Sequence, residues 1–494
     1  MSNSKRSAGV LLHITSLPGS NKNGEFGENA FRFIDFLEMG GVKVWQVLPL
    51  GPTMSDLSPY QSSSAYAGNP DLISVDELGK NYWFSEDDFS QFLIDSALET
   101  QSESKSSWLK YAYARFNTYA TKVELSEFEQ FSIDRSDWLD GYALYVALKA
   151  EFGNKSWVDW PTKLRDYNQA ALKKAAEKHA EEIAYIKFVQ FIFFQQWTQI
   201  KRYANSKHIK IFGDLPLFVS HDSADVWANK ELFKLDGEGQ PLFVAGVPPD
   251  YFSETGQRWG NPVYDWVSHE VDSFSWWIKR LENQFELFDY VRIDHFRGLE
   301  SYWEIPAEHE TALQGYWVEA LGQKMLLAVQ NHFGQHLPLI AEDLGVITDD
   351  VVALKNAFQL PGMKILQFAF GGGADNPYLP HNHEIDSVAY TGTHDNNTTL
   401  GWFNGVSDGV RAHVYQYYGQ TSESLPWLLV RSAYASVANM VIIPMQDLMG
   451  LDESGRMNIP GTVNGNWLWR FQWQELDQPK VTEYLNVLNV LYDR

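Results

Sequence analysis

The sequence predicts an α/β protein built as a (β/α)8 TIM barrel, with a largely helical insertion after the second strand and a loop over the mouth. Three observations carry the prediction. The chain opens as strand, helix, strand: an apolar run over 10–15, a helical pattern over 29–39 closed by Gly40 and Gly41, and a second apolar run over 42–48. Six more short apolar runs follow, the later ones separated by helical patterns. Four of the runs end on a carboxylate, Asp214, Asp294, Glu342 or Asp395. Chemistry in a parallel barrel sits at these carboxyl ends of the strands. A chain of 494 residues is long enough for one such barrel with insertions.

Taken in order, the first strand is followed by a Pro18-Gly19 turn, and the second ends in Pro49-Leu-Gly-Pro52. The alternation then breaks. Residues 1–52 and 183–494 are assigned to the barrel and 53–182 to the inserted, mostly helical part. Segment 55–69 is rich in Ser, Pro, Tyr and Gly and is expected as a loop, whose part from Ser58-Pro-Tyr60 to Tyr66 faces the site. Ser85, followed three residues on by Asp88, is a helix start. Helical patterns cover 108–119, 136–151 and 168–207; the Ala/Lys/Glu-rich stretch 170–182 reads as a solvated face.

The third strand is expected over 209–214. The fourth is Tyr290-Val-Arg-Ile293, which runs into Asp294-His-Phe-Arg-Gly298. The fifth spans 337–345, with Pro338 tolerable at its start. The sixth, seventh and eighth cover 363–368, 388–395 and 441–447. Helical patterns at 315–332, 349–357 and 427–438 separate the later strands. Ser301-Tyr-Trp-Glu-Ile-Pro306 is strand-like but has no place in the eightfold alternation.

Composition narrows the function. Asp and Glu number 63 against 39 Lys and Arg, a net charge of −24, which disfavours nucleic acid and anionic lipid as partners. There is no cysteine, so disulfides, thiolate metal sites and cysteine nucleophiles are excluded. The polar N-terminus runs straight into the first strand without a secretory pattern. No uncharged apolar run reaches the length of a membrane span, and the richest candidate, 183–197, reads as a buried helix. A cytoplasmic protein is the expectation. The 19 Trp, 24 Tyr and 30 Phe include several beside polar residues in expected loops, such as Tyr251, Phe252 and Trp259. Flat apolar faces flanked by hydrogen-bonding groups suit sugar rings.

Two chemistries can use the strand-end set. One is glycoside cleavage with retention, in which one carboxylate attacks the sugar carbon and a carboxylic acid about 5–5.5 Å away protonates the leaving oxygen. Arg292 lies two residues before Asp294 and so shares its face. It favours ionised Asp294 as the nucleophile. Glu342 follows Leu339, Ile340 and Ala341, an apolar setting that favours the acid/base role. Asp395, beside His394, is then placed to hold sugar hydroxyls and favour a distorted ring. The other chemistry is metal-assisted, with Asp214, Asp294, His295, Glu342, His394 and Asp395 as ligands. Against it, the first strand has a lone His13, no HExxH occurs, and His381-Asn-His383-Glu384 sits in a Pro-flanked loop that reads as solvated. Gly371-Gly-Gly373 lacks the GxGxxG spacing and no Walker motif is present, so no nucleotide site is inferred.

The residues also resemble a known family. Trp45-Gln-Val-Leu-Pro-Leu-Gly-Pro-Thr53, Ser58-Pro-Tyr60, Gly213-Asp-Leu-Pro216 and Gly246-Val-Pro-Pro-Asp-Tyr-Phe-Ser253 are similar to motifs of the 4-α-glucanotransferases of glycoside hydrolase family 77, the amylomaltases or disproportionating enzymes. So are Gly256-Gln-Arg-Trp-Gly-Asn-Pro262, Arg292-Ile-Asp-His-Phe-Arg-Gly298, Ala341-Glu-Asp-Leu-Gly345, Gly392-Thr-His-Asp-Asn396 and Arg456-Met-Asn-Ile-Pro-Gly461. The resemblance implies an enzyme that cuts an α-1,4-glucan (a maltooligosaccharide or amylose), holds one part covalently and passes it to the 4-hydroxyl of glucose or a maltodextrin. It implies Asp294 as nucleophile, Glu342 as acid/base and Asp395 as transition-state stabiliser. Tyr60, Asp214, Arg292 and His394 are implied at the central sugar, and Trp259, Gln257, Asp250 and Asn458 at flanking glucoses. It implies no metal, no cofactor and no obligate protein partner.

Transfer in place of hydrolysis requires that water be kept out while the acceptor binds. Segment 246–262, stiffened by Pro248 and Pro249 and carrying Tyr251, Phe252 and Trp259, is the expected lid. An α-amylase-type hydrolase and an inactive glucan-binding barrel are the alternative readings.

Overall fold

The computed structural model describes residues 6–19, 23–80, 83–84, 101–249 and 253–494. Its strands are β1 (Ser7–Leu11), β2 (Val44–Gln46), β3 (Lys210–Leu215), β4 (Phe243–Val247), β5 (Gln257–Pro262) and β6 (Tyr290–Ile293). They continue with β7 (Ser301–Pro306), β8 (Tyr316–Glu319), β9 (Leu339–Ala341), β10 (Gly362–Ile365), β11 (Ser387–Tyr390) and β12 (Met440–Pro444).

Eight strands form one parallel sheet in the order β10-β11-β12-β1-β2-β3-β6-β9. The sheet curls until its ends meet, where Ala341 N–H donates to Pro361 O at 2.8 Å. This is the (β/α)8 barrel that the sequence predicts, with every strand in the expected order. The strands read as unbroken apolar runs because both faces are covered. Their inward residues Leu11, Val44, Phe212, Ile340, Ile365, Val388 and Ile442 pack on one another inside the barrel. Their outward residues Val10, Trp45, Ile211, Val291, Leu339 and Val441 pack in the shared outer core. Gly9 is dictated by this interior: a Cβ there would stand 2.3 Å from Ile442 Cδ1 and 2.8 Å from Val44 O.

Helices follow most strands. Glu28–Met39 ends at Gly40, as its sequence pattern predicts. The inserted stretch holds Gln101–Tyr119, Lys122–Asp134, Ser136–Glu151 and Gln169–Lys178. Lys122–Asp134 has no apolar periodicity to announce it. It is fixed by a Thr121–Glu124 capping box and by Phe131 against Phe191 and Phe194. The single helix expected over 168–207 is two, Gln169–Lys178 and Ala180–Ser206, divided at His179. The second runs unbroken past residue 182 and belongs to both parts. It packs with its neighbours in the insertion, while Trp197 Nε1–H donates to Leu287 O at 2.9 Å on the barrel side. The expected helix start at 85–88 lies outside the described residues.

The strand-like piece at 301–306 has a home after all. β5, β4, β7 and β8 form a second, antiparallel sheet beside the barrel mouth. Much of the expected lid segment 246–262 is therefore strand, with β4 paired to β5 from Val244–Pro262 to Val247–Gln257. The helix expected from 315 begins only at Gly322; residues 316–319 are β8, paired to β7 with Trp303 opposite Trp317. Among the described residues no helix is long and apolar enough to cross a membrane.

Candidate active site

The barrel's parallel ladder continues one residue beyond several strands and so fixes where their carboxylates stand. Asp294 N–H donates to Leu215 O at 3.0 Å, and Glu342 N–H to Ile293 O at 3.1 Å. Strand alternation then points Asp214, Arg292, Asp294 and Glu342 to the inside of the mouth. Arg292 is shared: its Nη1 is 2.6 Å from Asp214 Oδ2, and its Nη2 is 2.8 Å from Asp294 Oδ1. Arg292 and Asp214 are buried, whereas the Asp294 side chain keeps 29 % exposure.

Tyr60, from the 55–69 loop, reaches into the same mouth. Its hydroxyl donates to Asp214 Oδ2 at 2.8 Å and lies 2.9 Å from His394 Nε2. Burial, and then Asp214, hold that phenol well above its ordinary pKa, so it keeps its proton. With this proton on Asp214, the hydrogen between Tyr60 and His394 belongs to His394 Nε2, which also stands 3.3 Å from Asp395 Oδ2. Asn458 Nδ2–H donates to Asp395 Oδ1 at 2.6 Å. One chain of polar contacts thus runs Asn458–Asp395–His394–Tyr60–Asp214–Arg292–Asp294.

The three candidate catalytic carboxyls are set differently. Burial pushes Glu342 up to about 8, opposed by Arg292 and by two backbone donors, His295 N–H at 2.7 Å and Leu344 N–H at 3.0 Å. Burial also pushes Asp294 up, to about 6, with Arg292 at close range opposing it. Burial outweighs the guanidinium, and the Asp214 charge on the other side of Arg292 raises Asp294 further. Burial is also the largest single influence on Asp395, but His394 and Asn458 together outweigh it and hold the carboxyl well below its ordinary value. At neutral pH these three are therefore two ionised carboxylates and one carboxylic acid.

Trp259 and Gln257 lie on β5. Trp259 Nε1–H donates to Gln257 Oε1 at 3.1 Å, and its ring meets His295 edge-on at 4.9 Å. Asp250, Tyr251 and Phe252 lie outside the described residues. Tyr66, in the same loop as Tyr60, turns away from the mouth, and its buried hydroxyl donates to Trp276 O at 3.3 Å. Asp343 also turns away, to Lys355 at 2.6 Å. His383 is not solvated as its loop setting predicts: it is buried between Ser436 Oγ at 2.6 Å and Tyr378 O at 2.9 Å. His13 is buried behind His394. It accepts from Leu48 N–H at 3.2 Å and stays neutral, pushed down to about 3 by burial and then by His394.

The sequence assigns no role to two residues at the mouth. Trp467 lies 5.9 Å, ring to ring, from both Tyr60 and His394. Arg456 joins Asp395 O at 3.1 Å to Asn458 O at 2.8 Å. A readable signal for Trp467 was its place in a glycine-flanked loop after Gly461 and Gly465. It takes a left-handed backbone, φ 65°, that no residue-type rule assigns to tryptophan.

A parallel barrel whose mouth gathers four strand-end carboxyls around one guanidinium and beside an aromatic wall defines a glycoside-processing enzyme. The chain belongs to the 4-alpha-glucanotransferases, glycoside hydrolase family 77, whose family profile matches residues 12–476. It is 48 % identical over 483 residues to the 4-alpha-glucanotransferase of Thermus thermophilus, covering 95 % of this chain and 96 % of that one. Identity to the 4-alpha-glucanotransferase of Synechocystis is 45 % over 502 residues, covering 99 % and 98 %. Amylomaltase from Streptococcus agalactiae, solved in complex with acarbose, superposes with a TM-score of 0.94 at 37 % identity, covering 99 % of this chain and all of that one. The protein is accordingly an enzyme that transfers α-1,4-glucan segments. The hydrolase and the inactive glucan-binding barrel are not favoured.

Proposed function

We propose that the transfer is a double displacement in which Asp294 is the nucleophile and Glu342 the acid/base. Asp294 attacks C1 of the donor glucose from the oxygen that Arg292 leaves free. The C1–O4 bond breaks, and the Glu342 proton goes to the departing O4. The acceptor's 4-hydroxyl then gives its proton to the Glu342 carboxylate, its oxygen bonds to C1, and Asp294 leaves. Asp395, kept ionised by His394 and Asn458, stabilises the positive charge on the ring in both transition states. The observation that carries this reading is the contact geometry of the three carboxyls among the described residues: Arg292 Nη2 lies 2.8 Å from Asp294 Oδ1, Glu342 meets only backbone N–H donors at 2.7 and 3.0 Å, and Asp395 is held by His394 at 3.3 Å and Asn458 at 2.6 Å.

Tyr60, Asp214, Arg292 and His394 line the central sugar in this reading, with the Tyr60 and Trp467 rings as its apolar wall. Trp259, Gln257, Asp250 and Asn458 hold flanking glucoses. The β4–β5 hairpin acts as a lid that excludes water between the two steps. Donors are maltooligosaccharides and amylose; acceptors are glucose and maltodextrins. We place the enzyme in the cytoplasm and in starch and glycogen metabolism; the acidic, cysteine-free chain supports the location.

Incubation with maltotriose, followed by oligosaccharide analysis and total reducing ends, tests the activity. The expected result is glucose plus a ladder of longer maltodextrins at nearly constant reducing ends. Rising reducing ends without longer products would identify a hydrolase and remove the lid argument.

A further inference from the structure

The segment that follows Asp294 touches Glu342 repeatedly. His295 N–H donates to the Glu342 carboxyl, and Phe296 N–H donates to the Glu342 backbone carbonyl at 3.2 Å. The first contact depends on a left-handed backbone at His295, φ 53°, a conformation that costs energy in a non-glycine residue. Something must hold this turn in place.

The second sheet does so from both of its edges. β5, at one edge, lays Trp259 against the His295 ring. β8, at the other edge, lays Trp317 flat on the Arg297 guanidinium, 3.8 Å from its centre. Arg297 is 5 % exposed and makes no direct ion pair among the described residues; the nearest acid, Glu300, is reached through Ser301, whose hydroxyl donates to Glu300 Oε2 at 2.6 Å. Its fork goes elsewhere: Nη1–H donates to Val346 O at 2.6 Å and Nη2–H to Ser301 Oγ at 3.1 Å. Val346 lies in the loop after Glu342, two residues beyond Leu344, whose N–H is the other donor to the Glu342 carboxyl. Arg297 therefore ties the turn that supplies one donor to the loop that supplies the other. A buried guanidinium whose direct partners are a carbonyl, a hydroxyl and an indole face, with its nearest carboxylate one residue removed, is costly to keep unless its geometry is needed.

We propose that Arg297, stacked on Trp317, is a positioning residue for Glu342. It locks the 295–297 turn to the 343–346 loop, so that two backbone N–H groups fix the direction in which the Glu342 carboxyl presents its proton to the leaving oxygen. The second sheet thereby links the lid hairpin at one edge to the acid/base residue through its other edge. This rests on the reading of Glu342 as the acid/base.

The test compares two donors. Maltotriose needs a proton on its leaving oxygen, whereas α-maltosyl fluoride expels fluoride without one. In Arg297→Met, kcat on maltotriose is expected to fall roughly 10- to 100-fold, the size of effect a misplaced catalytic group produces. KM should stay within about twofold, and single-turnover fluoride release should match the parent within about twofold. Trp317→Ala should show the same split more weakly, and Trp317→Phe, which keeps a ring over the guanidinium, should restore the parent behaviour. Trp317 is 39 % exposed, so this pair carries the test if Arg297→Met does not fold. An equal loss with both donors, or unchanged maltotriose turnover in Arg297→Met and Trp317→Ala, would overturn the proposal. Glu342→Gln is the control. It should lose maltotriose turnover and keep fluoride release; losing both removes the acid/base reading itself.

Discussion

One guanidinium serves two carboxylates at the centre of this site. Arg292 spends Nη1 on Asp214 and Nη2 on Asp294, so neither carboxylate has its full charge to itself. Burial raises both Asp294 and Glu342; the Arg292 guanidinium, in contact with Asp294 and not with Glu342, leaves Asp294 near 6 and Glu342 near 8. The pH dependence follows with a definite sign. Raising pH through about 6 ionises Asp294 and raises activity; raising it through about 8 strips the Glu342 proton and lowers activity. The expected kcat/KM profile for maltotriose is a bell between those values. A profile still rising above pH ~9 would contradict the assignment of the acid. The Arg292–Asp294 pairing was legible in the sequence, because residues two apart on a strand share a face. Asp214's claim on the same guanidinium was not, since the two residues lie 78 positions apart and only the β3–β6 pairing joins them.

At the scale of elements, the barrel strands and the second sheet were unequally readable. Strands covered on both faces announce themselves as apolar runs, and seven of the eight lie close to their expected places; the first, expected over 10–15, is Ser7–Leu11, because the apolar run continues past the strand into a buried turn at Ile14–Ser16. β8 was read as the start of a helix for a physical reason. It is an edge strand, exposed at Tyr316, Trp317 and Glu319, so it shows no alternation of its own and its apolar residues merge with those of the helix Gly322–Phe333. Segment 246–262 was likewise visible as a Pro- and aromatic-rich stretch, but not as two paired strands of that sheet. Trp259 is held on a strand, against His295, and in the proposed lid role it helps to keep water from the mouth. Trp259→Ala is therefore expected to raise hydrolysis relative to transfer. A contact of this kind is worth about 1 kcal/mol, so the ratio should rise roughly fivefold. Product analysis on maltotriose reads the ratio, and an unchanged value would remove Trp259 from the lid.

For the molecule as a whole, the site depends on elements brought from distant parts of the chain. Tyr60 arrives on the loop after β2, Asp214, Asp294 and Glu342 after β3, β6 and β9, Asp395 after β11, and Asn458 and Trp467 on the loop after β12. The barrel is what makes these one site, and the barrel was legible because its repeating strand pattern survives a long insertion. Arg456 was visible only as part of the Arg456–Gly461 motif and Trp467 only as part of a glycine-flanked loop; their contacts depend on that irregular loop folding back on Asp395 and Tyr60, which no periodicity encodes. The central claim is that glucan is carried on Asp294. The direct measurement uses Glu342→Gln with α-maltosyl fluoride, in which the first step needs no acid and the second lacks its base. Intact-protein mass followed by peptide mapping is predicted to find one added maltosyl unit, on the peptide containing Asp294, and none in the variant that also carries Asp294→Asn. Label on a different residue, or fluoride release with no covalent adduct at any time, would contradict the account.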